Sequence, residues 1–121
     1  MKNTGIYQEI ILDHASNPRN IGSISNPSKT TLVHNPLCGD KIKMDVLFNG
    51  EKIKDIKFQV SGCAISKATV SMLSEKIKGK TKSELRKLAK QDIIKMLGID
   101  LGPNRLKCAL ISLEALHNLL V

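Results

Sequence analysis

The sequence contains very few aromatic residues. Two phenylalanines, one tyrosine and no tryptophan occur in 121 residues, so the core must be mainly aliphatic. Single-stranded nucleic acids are bound by stacking bases on aromatic side chains, and this chain has almost none to offer. The formal net charge of +8 comes from lysines spread along the chain, which we interpret as a solvated surface that could also meet an acidic protein. We therefore predict no nucleic-acid partner, and rank a basic nucleic-acid-binding domain last among the interpretations.

Long apolar runs are also missing. No stretch is long enough to span a membrane, and the first residues resemble neither a signal peptide nor an Arg-rich transit sequence. These absences predict a cytoplasmic protein without a membrane partner. The length predicts one domain, residues 1–121, because two cores would not fit in it. No internal repeat or low-complexity tract interrupts it.

Cysteine is scarce, and its count is odd. The three cysteines are Cys38, Cys63 and Cys108, and an odd count in a cytosolic protein makes a disulfide framework a poor explanation. Metal binding or thiol chemistry is favoured instead. The separations of 25 and 45 residues match no compact zinc-finger pattern, so spacing alone is weak evidence.

Hydrophobic periodicity predicts an α+β fold, with a three-stranded antiparallel sheet and helices packed on one face. A first helix covers about residues 4–15, and an irregular segment follows to about residue 29. A short β-rich stretch predicts a strand at about 30–34. Alternating residues predict strands at about 42–48 and 56–60, with a hairpin at Asn49-Gly50. Four further helices are predicted at about 65–77, 81–88, 93–97 and 103–120. Thr81 to Glu84 fits a capping box, Gly98 ends a helix, and Gly102-Pro103 begins the last one.

The predicted elements bring the cysteines toward one end of the sheet. Cys38 and Asp40 lie in the loop between the first two strands, and Cys63 lies between the third strand and its helix. Cys108 lies early in the last helix and, by its angular position, off the stripe that includes Leu106 and Leu110. A cysteine used only for packing should lie on such a stripe. We place both Cys63 and Cys108 at helix N-termini, where the helix dipole favours a thiolate.

Three thiolates and one carboxylate form a complete tetrahedral ligand set for a soft or borderline metal. The Asp40 carboxylate is harder than a thiolate, which should make the metal easier to release. Gly39 and Gly62 would allow close turns around a bound ion. Inert packing cysteines are the alternative. His14 and His117 lie on helical stripes and are interpreted as packing residues, and His34 lies near the Cys38 loop without an assigned role.

Three segments around these cysteines resemble a known family. They are Asn35-Pro36-Leu37-Cys38-Gly39-Asp40, Gly62-Cys63-Ala64-Ile65-Ser66 and Arg105-Leu106-Lys107-Cys108-Ala109. With the opening segment Tyr7 to Gly22, they are similar to the iron–sulfur cluster assembly scaffolds of the IscU, SufU and NifU N-terminal type. The resemblance covers nearly the whole chain.

The resemblance implies that Cys38, Asp40, Cys63 and Cys108 hold Zn²⁺ or a nascent [2Fe-2S] cluster. It also implies that a cysteine desulfurase is a partner, and that apo iron–sulfur proteins accept the cluster. Cys38 is the candidate persulfide acceptor and Cys108 the alternative. A homo-oligomer is left open, and the chain would be a scaffold or sulfur-transfer protein rather than a stand-alone catalyst.

The branch within the family is left open by the sequence. Lys107 stands where the IscU branch has histidine, as in SufU, and residues 101–105 do not match the Leu-Pro-Pro-Val-Lys chaperone motif of IscU. The segment from Cys63 to Cys108 is too short for the insertion typical of SufU. Two rival functions are a zinc-dependent sulfurtransferase that only activates the desulfurase, and a structural zinc interaction module.

Overall fold

The described part of the chain contains three strands and five helices. The computed structural model describes residues 4–36 and 39–121. The elements follow the order α1 (Thr4–Ser16), β1 (Lys29–Asn35), β2 (Asp40–Asn49), β3 (Lys52–Ser61), α2 (Ala64–Ile77), α3 (Lys82–Arg86), α4 (Lys90–Leu97) and α5 (Pro103–Leu119). The predicted α+β class and the antiparallel three-stranded sheet are confirmed.

The sheet is a meander of order β1-β2-β3, with both pairs antiparallel. The β2–β3 hairpin turns at Gly50, whose φ of 63° suits a residue without a Cβ. The predicted position of Asp40 in a loop is corrected by the structure. Asp40 is the first residue of β2 and pairs with Asn35, so its backbone belongs to the rigid sheet.

Helices α2 and α5 pack side by side on the sheet and on each other. They cover the face formed by Ile42, Met44 and Val46 of β2 together with Ile56 and Phe58 of β3, all fully buried. The core is mainly aliphatic, as the composition predicts. Among the described residues, no helix has the length and apolar character needed to cross a membrane.

The predicted helix ends are confirmed in three places. The Thr81 hydroxyl accepts the Glu84 amide at 3.1 Å, and the Glu84 carboxylate accepts the Thr81 amide at 3.1 Å, completing the capping box. The hydrogen bond from the Thr81 amide, together with one that the Thr81 hydroxyl donates to the same carboxylate at 3.1 Å, lowers the pKa of Glu84 below its ordinary value. Gly98 ends α4 in the left-handed region, and Gly102 precedes Pro103 at the start of α5.

The prediction that Cys108 lies off the buried stripe of α5 is wrong. Cys108 is only 6% exposed, whereas Leu106 and Leu110 are both partly exposed. The buried arc is wide because α5 packs against α2 on one side and against β1 and β2 on the other. A single narrow stripe is the pattern of a helix with one neighbour.

The segment that precedes β1 is irregular, as predicted, but it is anchored to β3. Gly22 donates its amide to the Phe58 carbonyl at 2.9 Å, and Phe58 donates to the Asn20 carbonyl at 3.0 Å. Asp45, buried in β2, accepts a hydrogen bond from the Ile24 amide at 3.1 Å. These contacts cover the outer edge of β3 and part of the second sheet face.

Candidate metal centre

The site lies where three elements meet at one end of the sheet. Lys41 of β2 pairs with Ser61 of β3, so the beginning of β2 adjoins the end of β3. The chain leaves β3 through Gly62 and Cys63 and enters α2. The antiparallel register therefore brings Asp40 beside Cys63, although 23 residues separate them in sequence.

Asp40, Cys63 and Cys108 converge on one point. Their ligand atoms, one carboxylate oxygen and two sulfurs, all lie within 4.8 Å of one another. Asp40 is fully buried and Cys108 nearly so, whereas Cys63 is exposed. The structure thus joins three of the four residues that the sequence singles out as metal ligands.

The fourth residue, Cys38, lies outside the described residues. It precedes Asp40 by two positions in the chain. Its neighbour Gly39 has a φ of 71°, a left-handed conformation that glycine adopts without strain. A Cβ at Gly39 would meet no atom of the described residues within 4 Å, so the positive φ is the observed reason for glycine at this position.

The Asp40 carboxylate, at the start of β2, caps the N-terminus of helix α2. Cys63 is the N-cap residue of α2, and its own side chain makes no capping hydrogen bond. The Cys63 amide instead donates to Oδ1 of Asp40 at 3.0 Å. An anion at this position is stabilised by the unpaired amides and by the helix dipole. The same contact places Cys63 Sγ 3.8 Å from Oδ2 of Asp40.

Cys108 reaches the cluster from α5, but not from its N-terminus. It is the sixth residue of the helix that begins at Pro103, beyond the first turn where amides lack partners. The expectation that both Cys63 and Cys108 lie at helix N-termini therefore holds for Cys63 only. The position of Cys108 follows from the packing of α5 against α2.

Ser66 is a residue of this site that the sequence reasoning missed. Its hydroxyl, fully buried in the first turn of α2, lies 2.6 Å from Oδ2 of Asp40 and 3.5 Å from Sγ of Cys63. The available signal was its spacing: residues three apart on a helix share a face, so Ser66 faces the same way as Cys63. Its contact with Asp40 could not be read from spacing.

Gly62 has no room for a side chain. Its φ is 152°, and a Cβ at this position would overlap the Asp40 carboxylate. Glycine is therefore required both by the backbone conformation and by the approach of Asp40. This supports the interpretation of Gly62 as a supporting residue of the site.

Lys107 is exposed on α5, one residue before Cys108. It lines a shallow cleft of about 190 Å³ together with His34 and Pro36. His14 and His117 lie elsewhere, hydrogen-bonded to the Ser71 hydroxyl at 2.7 Å and to the Leu88 carbonyl at 3.0 Å. Both are satisfied packing residues, as their stripes predict.

A larger cleft opens directly beside the two cysteines. It has a volume of about 530 Å³ and is bordered by Cys63 and Cys108, by α1 and by the start of α5. Most of its side chains are apolar, and Gln8, Asn104 and Arg105 add polar groups. The exposed thiol of Cys63 is therefore accessible to a partner or a small molecule from this side.

The donor atoms fit a soft or borderline metal. Two thiol sulfurs and one carboxylate oxygen leave one position for a fourth ligand in a tetrahedral site. Cys38, two residues before Asp40, is near enough in the chain to supply it. Zinc is compatible with this set, since it accepts both sulfur and carboxylate oxygen.

Comparison with known proteins points to one family. The model of the NifU-like N terminal domain matches residues 6–120. The iron–sulfur cluster assembly scaffold protein IscU 1 of Archaeoglobus fulgidus is 36% identical over 116 residues, covering 96% of this chain and 75% of the relative. The zinc-dependent sulfurtransferase SufU of Bacillus subtilis is 34% identical over 129 residues, covering 93% of this chain and 87% of the relative.

The solved structures agree with these relatives. A SufU from Fervidobacterium islandicum AW-1, described as a scaffold protein for the SUF system, superposes with a TM-score of 0.84 at 32% identity. The match covers 98% of this chain and 99% of that one. The sheet, the helices and the Asp–Cys–Cys cluster thus occur in a chain that belongs to the NifU-like N-terminal domain family, together with the IscU and SufU proteins.

Proposed function

We propose that this protein takes part in iron–sulfur cluster assembly. It accepts persulfide sulfur from a cysteine desulfurase, and it assembles or relays a [2Fe-2S] cluster at a site made of three cysteines and Asp40. The observation that carries this proposal is the convergence of the Asp40 carboxylate with the Cys63 and Cys108 thiols within 4.8 Å. Membership of the IscU and SufU family supports it.

Zinc is the resident metal that the donor set fits. Asp40, Cys63, Cys108 and, by its place in the chain, Cys38 would hold it. When bound, zinc stabilises the thiolate form of its cysteine ligands. The iron–sulfur cluster is cargo that the same residues would hold during assembly.

Sulfur transfer needs a thiolate that can reach the partner's persulfide. The acceptor thiolate attacks the terminal sulfur of the desulfurase persulfide, a new sulfur–sulfur bond forms, and the old one breaks. The desulfurase cysteine leaves as a thiolate, so no external oxidant or reductant is needed. Cys38 is our first candidate for the acceptor. Cys108 is the alternative, but its burial at 6% exposure would have to be relieved first.

The exposed thiol of Cys63 adds a third candidate. It borders the 530 Å³ cleft, where a segment carrying the desulfurase persulfide would have access. We therefore include Cys63 in every sulfur-loading experiment. Accessibility favours Cys63 over Cys108, because the attacking thiolate must reach the terminal sulfur of the persulfide directly.

A second candidate function is zinc-dependent sulfur transfer without cluster assembly. It is favoured by the similarity to the zinc-dependent sulfurtransferase of Bacillus subtilis. Both functions share the first step and differ in the fate of the sulfur. A scaffold keeps it with iron at the site, whereas a sulfurtransferase passes it on and leaves the desulfurase free for another turnover.

The remaining assignments belong to the same proposal. Residues 1–121 act as a single domain in the cytoplasm, apo iron–sulfur proteins receive the product, and neither nucleic acid nor membrane is a partner. A homo-oligomer is compatible with the proposal but is not needed for it.

The first prediction concerns the ligands themselves. Substituting Cys38, Cys63 or Cys108 by Ala removes one thiolate and should lower the zinc affinity of the anaerobically purified protein at least about tenfold, because a direct ligand contributes more than a group that only hydrogen-bonds a ligand. Metal analysis and mass spectrometry after incubation with a desulfurase and cysteine measure zinc and added sulfur. Only the acceptor variant should lose the added sulfur while the desulfurase itself stays active.

Ser112→Ala is the control. It removes a buried hydroxyl from the same helix as Cys108, and the described contact of that hydroxyl is a hydrogen bond to the Ala109 carbonyl. If all three cysteine variants kept both zinc and sulfur uptake, the proposed site would be wrong. Iron and sulfide added to the loaded protein then separate the two functions. A chromophoric cluster that passes to an apo-ferredoxin indicates a scaffold, and desulfurase activation without cluster indicates a sulfurtransferase.

A further inference from the structure

Ser66 contacts all three described residues of the candidate metal site, Asp40, Cys63 and Cys108. Its Oγ lies 2.6 Å from Oδ2 of Asp40, 3.5 Å from Sγ of Cys63 and 3.3 Å from the carbonyl oxygen of Cys108. It is also fully buried. A buried hydroxyl in the middle of three metal-ligating residues is placed to influence how those residues bind the ion.

The geometry identifies the bond that the hydroxyl makes. A serine hydroxyl carries one proton, so it can donate fully to only one of these three neighbours, and the Cys63 sulfur is the most distant of them. The Asp40 oxygen is closer than the Cys108 carbonyl, 2.6 Å against 3.3 Å. A carboxylate is also the stronger acceptor, since charge-assisted O–H···O⁻ bonds are shorter and stronger than neutral ones. Ser66 therefore donates to Asp40.

Both oxygens of Asp40 are then held by the N-terminus of α2. Oδ1 accepts the Cys63 amide at 3.0 Å, and Oδ2 accepts the Ser66 hydroxyl. A carboxylate held at one oxygen can still rotate about its χ2 torsion, which is broad for aspartate. With both oxygens held, the plane of the carboxylate is set relative to the two thiols.

From this arrangement we infer that Ser66 is a positioning residue of the metal site, which holds the Asp40 carboxylate toward Cys63 and Cys108 and thereby sets metal affinity and release. The inference rests on the proposed function. Each carboxylate oxygen has two acceptor positions, so Oδ2 can accept the Ser66 hydroxyl and ligate a metal at the same time. Ser66 also offers Oδ2 a partner whenever the metal leaves.

The test is the zinc affinity of Ser66→Ala. Zinc binding is measured by competition with a chromophoric chelator, and Co²⁺ replaces zinc to report ligand geometry through its absorption bands. Loss of a hydrogen bond to a metal ligand commonly lowers metal affinity about 10–100-fold, and we expect a loss in that range with faster zinc release. Ser112→Ala, which removes a buried hydroxyl one turn beyond Cys108, should bind zinc like the wild type.

A double-mutant cycle tests whether Ser66 acts through Asp40. In an Asp40→Ala background the hydroxyl has no carboxylate to hold, so adding Ser66→Ala should change zinc affinity by less than about threefold. A merely structural role of Ser66 would cost the same in both backgrounds. Equal losses in the two backgrounds would overturn the inference.

A measurement on the wild type covers the case in which the variants fold poorly. In zinc-loaded protein, NMR should show a Ser66 hydroxyl proton that exchanges slowly with water, as expected for a buried short bond. A Ser66 hydroxyl that exchanges at the solvent rate would overturn the inference.

The outcomes separate the inference from the function on which it rests. Tight zinc binding by both the wild type and Ser66→Ala would overturn the role of Ser66 and leave the cluster-assembly function standing. Failure of the wild type to bind either Zn²⁺ or Co²⁺ would overturn both. Weak binding by Ser66→Ala alone, with Ser112→Ala unchanged, supports both.

Discussion

Gly62 determines how closely the start of α2 can approach Asp40. Its φ of 152° lies in a backbone region that residues with a side chain rarely adopt, and a Cβ would overlap the carboxylate of Asp40. The hydrogen bond from the Cys63 amide to that carboxylate depends on the same approach. The missing Cβ therefore allows both the helix cap and the approach of Asp40 to Cys63.

We predict that Gly62→Ala impairs both stability and metal binding. Backbone strain at such a position costs about 1–3 kcal/mol, and displacement of Asp40 should also weaken zinc binding at least about tenfold. Urea unfolding measures the first effect and zinc competition the second.

Gly50→Ala is the matched control for backbone strain. Gly50 also has a positive φ, 63°, but a Cβ there would meet no atom within 4 Å in the part of the chain that the structure describes. Gly50→Ala should lower stability by about 1 kcal/mol and leave zinc affinity unchanged. Equal zinc affinity in both variants would show that Asp40 tolerates a shift at Gly62.

At the scale of elements, a buried polar cluster ties α1 to α2. Nδ1 of His14 lies 2.7 Å from the Ser71 hydroxyl, which accepts the Arg19 amide at 2.9 Å. When His14 carries no proton on Nδ1, the Ser71 hydroxyl can donate its own proton to that nitrogen. On its other side, Nε2 faces Glu75 at 3.5 Å.

The surroundings of His14 lower its pKa below the ordinary value. Burial is the largest cause, and the positive charge of Arg19 adds to it, whereas the carboxylates of Glu75 and Asp13 oppose both. The unfolded chain, with a His pKa of about 6.5, then binds the proton more readily than the folded chain. The stability that His14 contributes is complete above about pH 6.5 and is lost as the pH falls through the lower folded value.

We predict that His14→Gln reduces the loss of stability on acidification. Urea unfolding of chelator-treated protein from pH 8 to about pH 5.5 should show a shallower fall in unfolding free energy for this variant than for the wild type. His34→Gln, which removes an exposed histidine, should follow the wild type. A His14→Gln curve parallel to the wild type would contradict the stated role of burial.

At the scale of the whole molecule, the main hydrophobic cluster is built without Asp40, Cys63 or Cys108. The fully buried side chains of β2, β3, α2 and α5 pack on the covered sheet face, whereas the metal cluster lies at one end of the sheet. A fold held by such a core should not require the metal, unlike a small zinc module that unfolds without it.

Zinc removal should therefore lower stability without unfolding the protein. When free zinc is set about a thousandfold above its dissociation constant, its binding stabilises the folded state by about 4 kcal/mol. Chelation should remove that stabilisation. Circular dichroism and urea unfolding with and without a chelator measure it. Loss of all helical signal on chelation would instead support the structural zinc module.

Length does not decide between the two branches of the family. The chain is too short for the insertion expected of SufU, but the Fervidobacterium islandicum SufU matches it over 98% of this chain and 99% of that one. A SufU-type chain of this size therefore exists. The scaffold and sulfurtransferase functions have to be distinguished by experiment, from whether the transferred sulfur stays with iron at the site or is passed on.

Much of this protein follows from local sequence. A β-rich stretch identifies the first strand, and alternating residues identify the second and third. Helical periodicity and capping signals identify most helix ends, and the motifs around Cys38, Cys63 and Cys108 identify the family. These features depend on a few neighbouring residues, and local propensity and spacing determine them. The composition likewise predicts the aliphatic core.

Three features of the site were decided only by tertiary packing. Cys108 is buried because α5 has neighbours on two sides, Ser66 reaches Asp40 because the β2–β3 register brings α2 beside the start of β2, and Gly62 is required because Asp40 occupies the space of its Cβ. Each is a contact between residues distant in sequence, and the periodicity of one element carries no information about which neighbour it will meet.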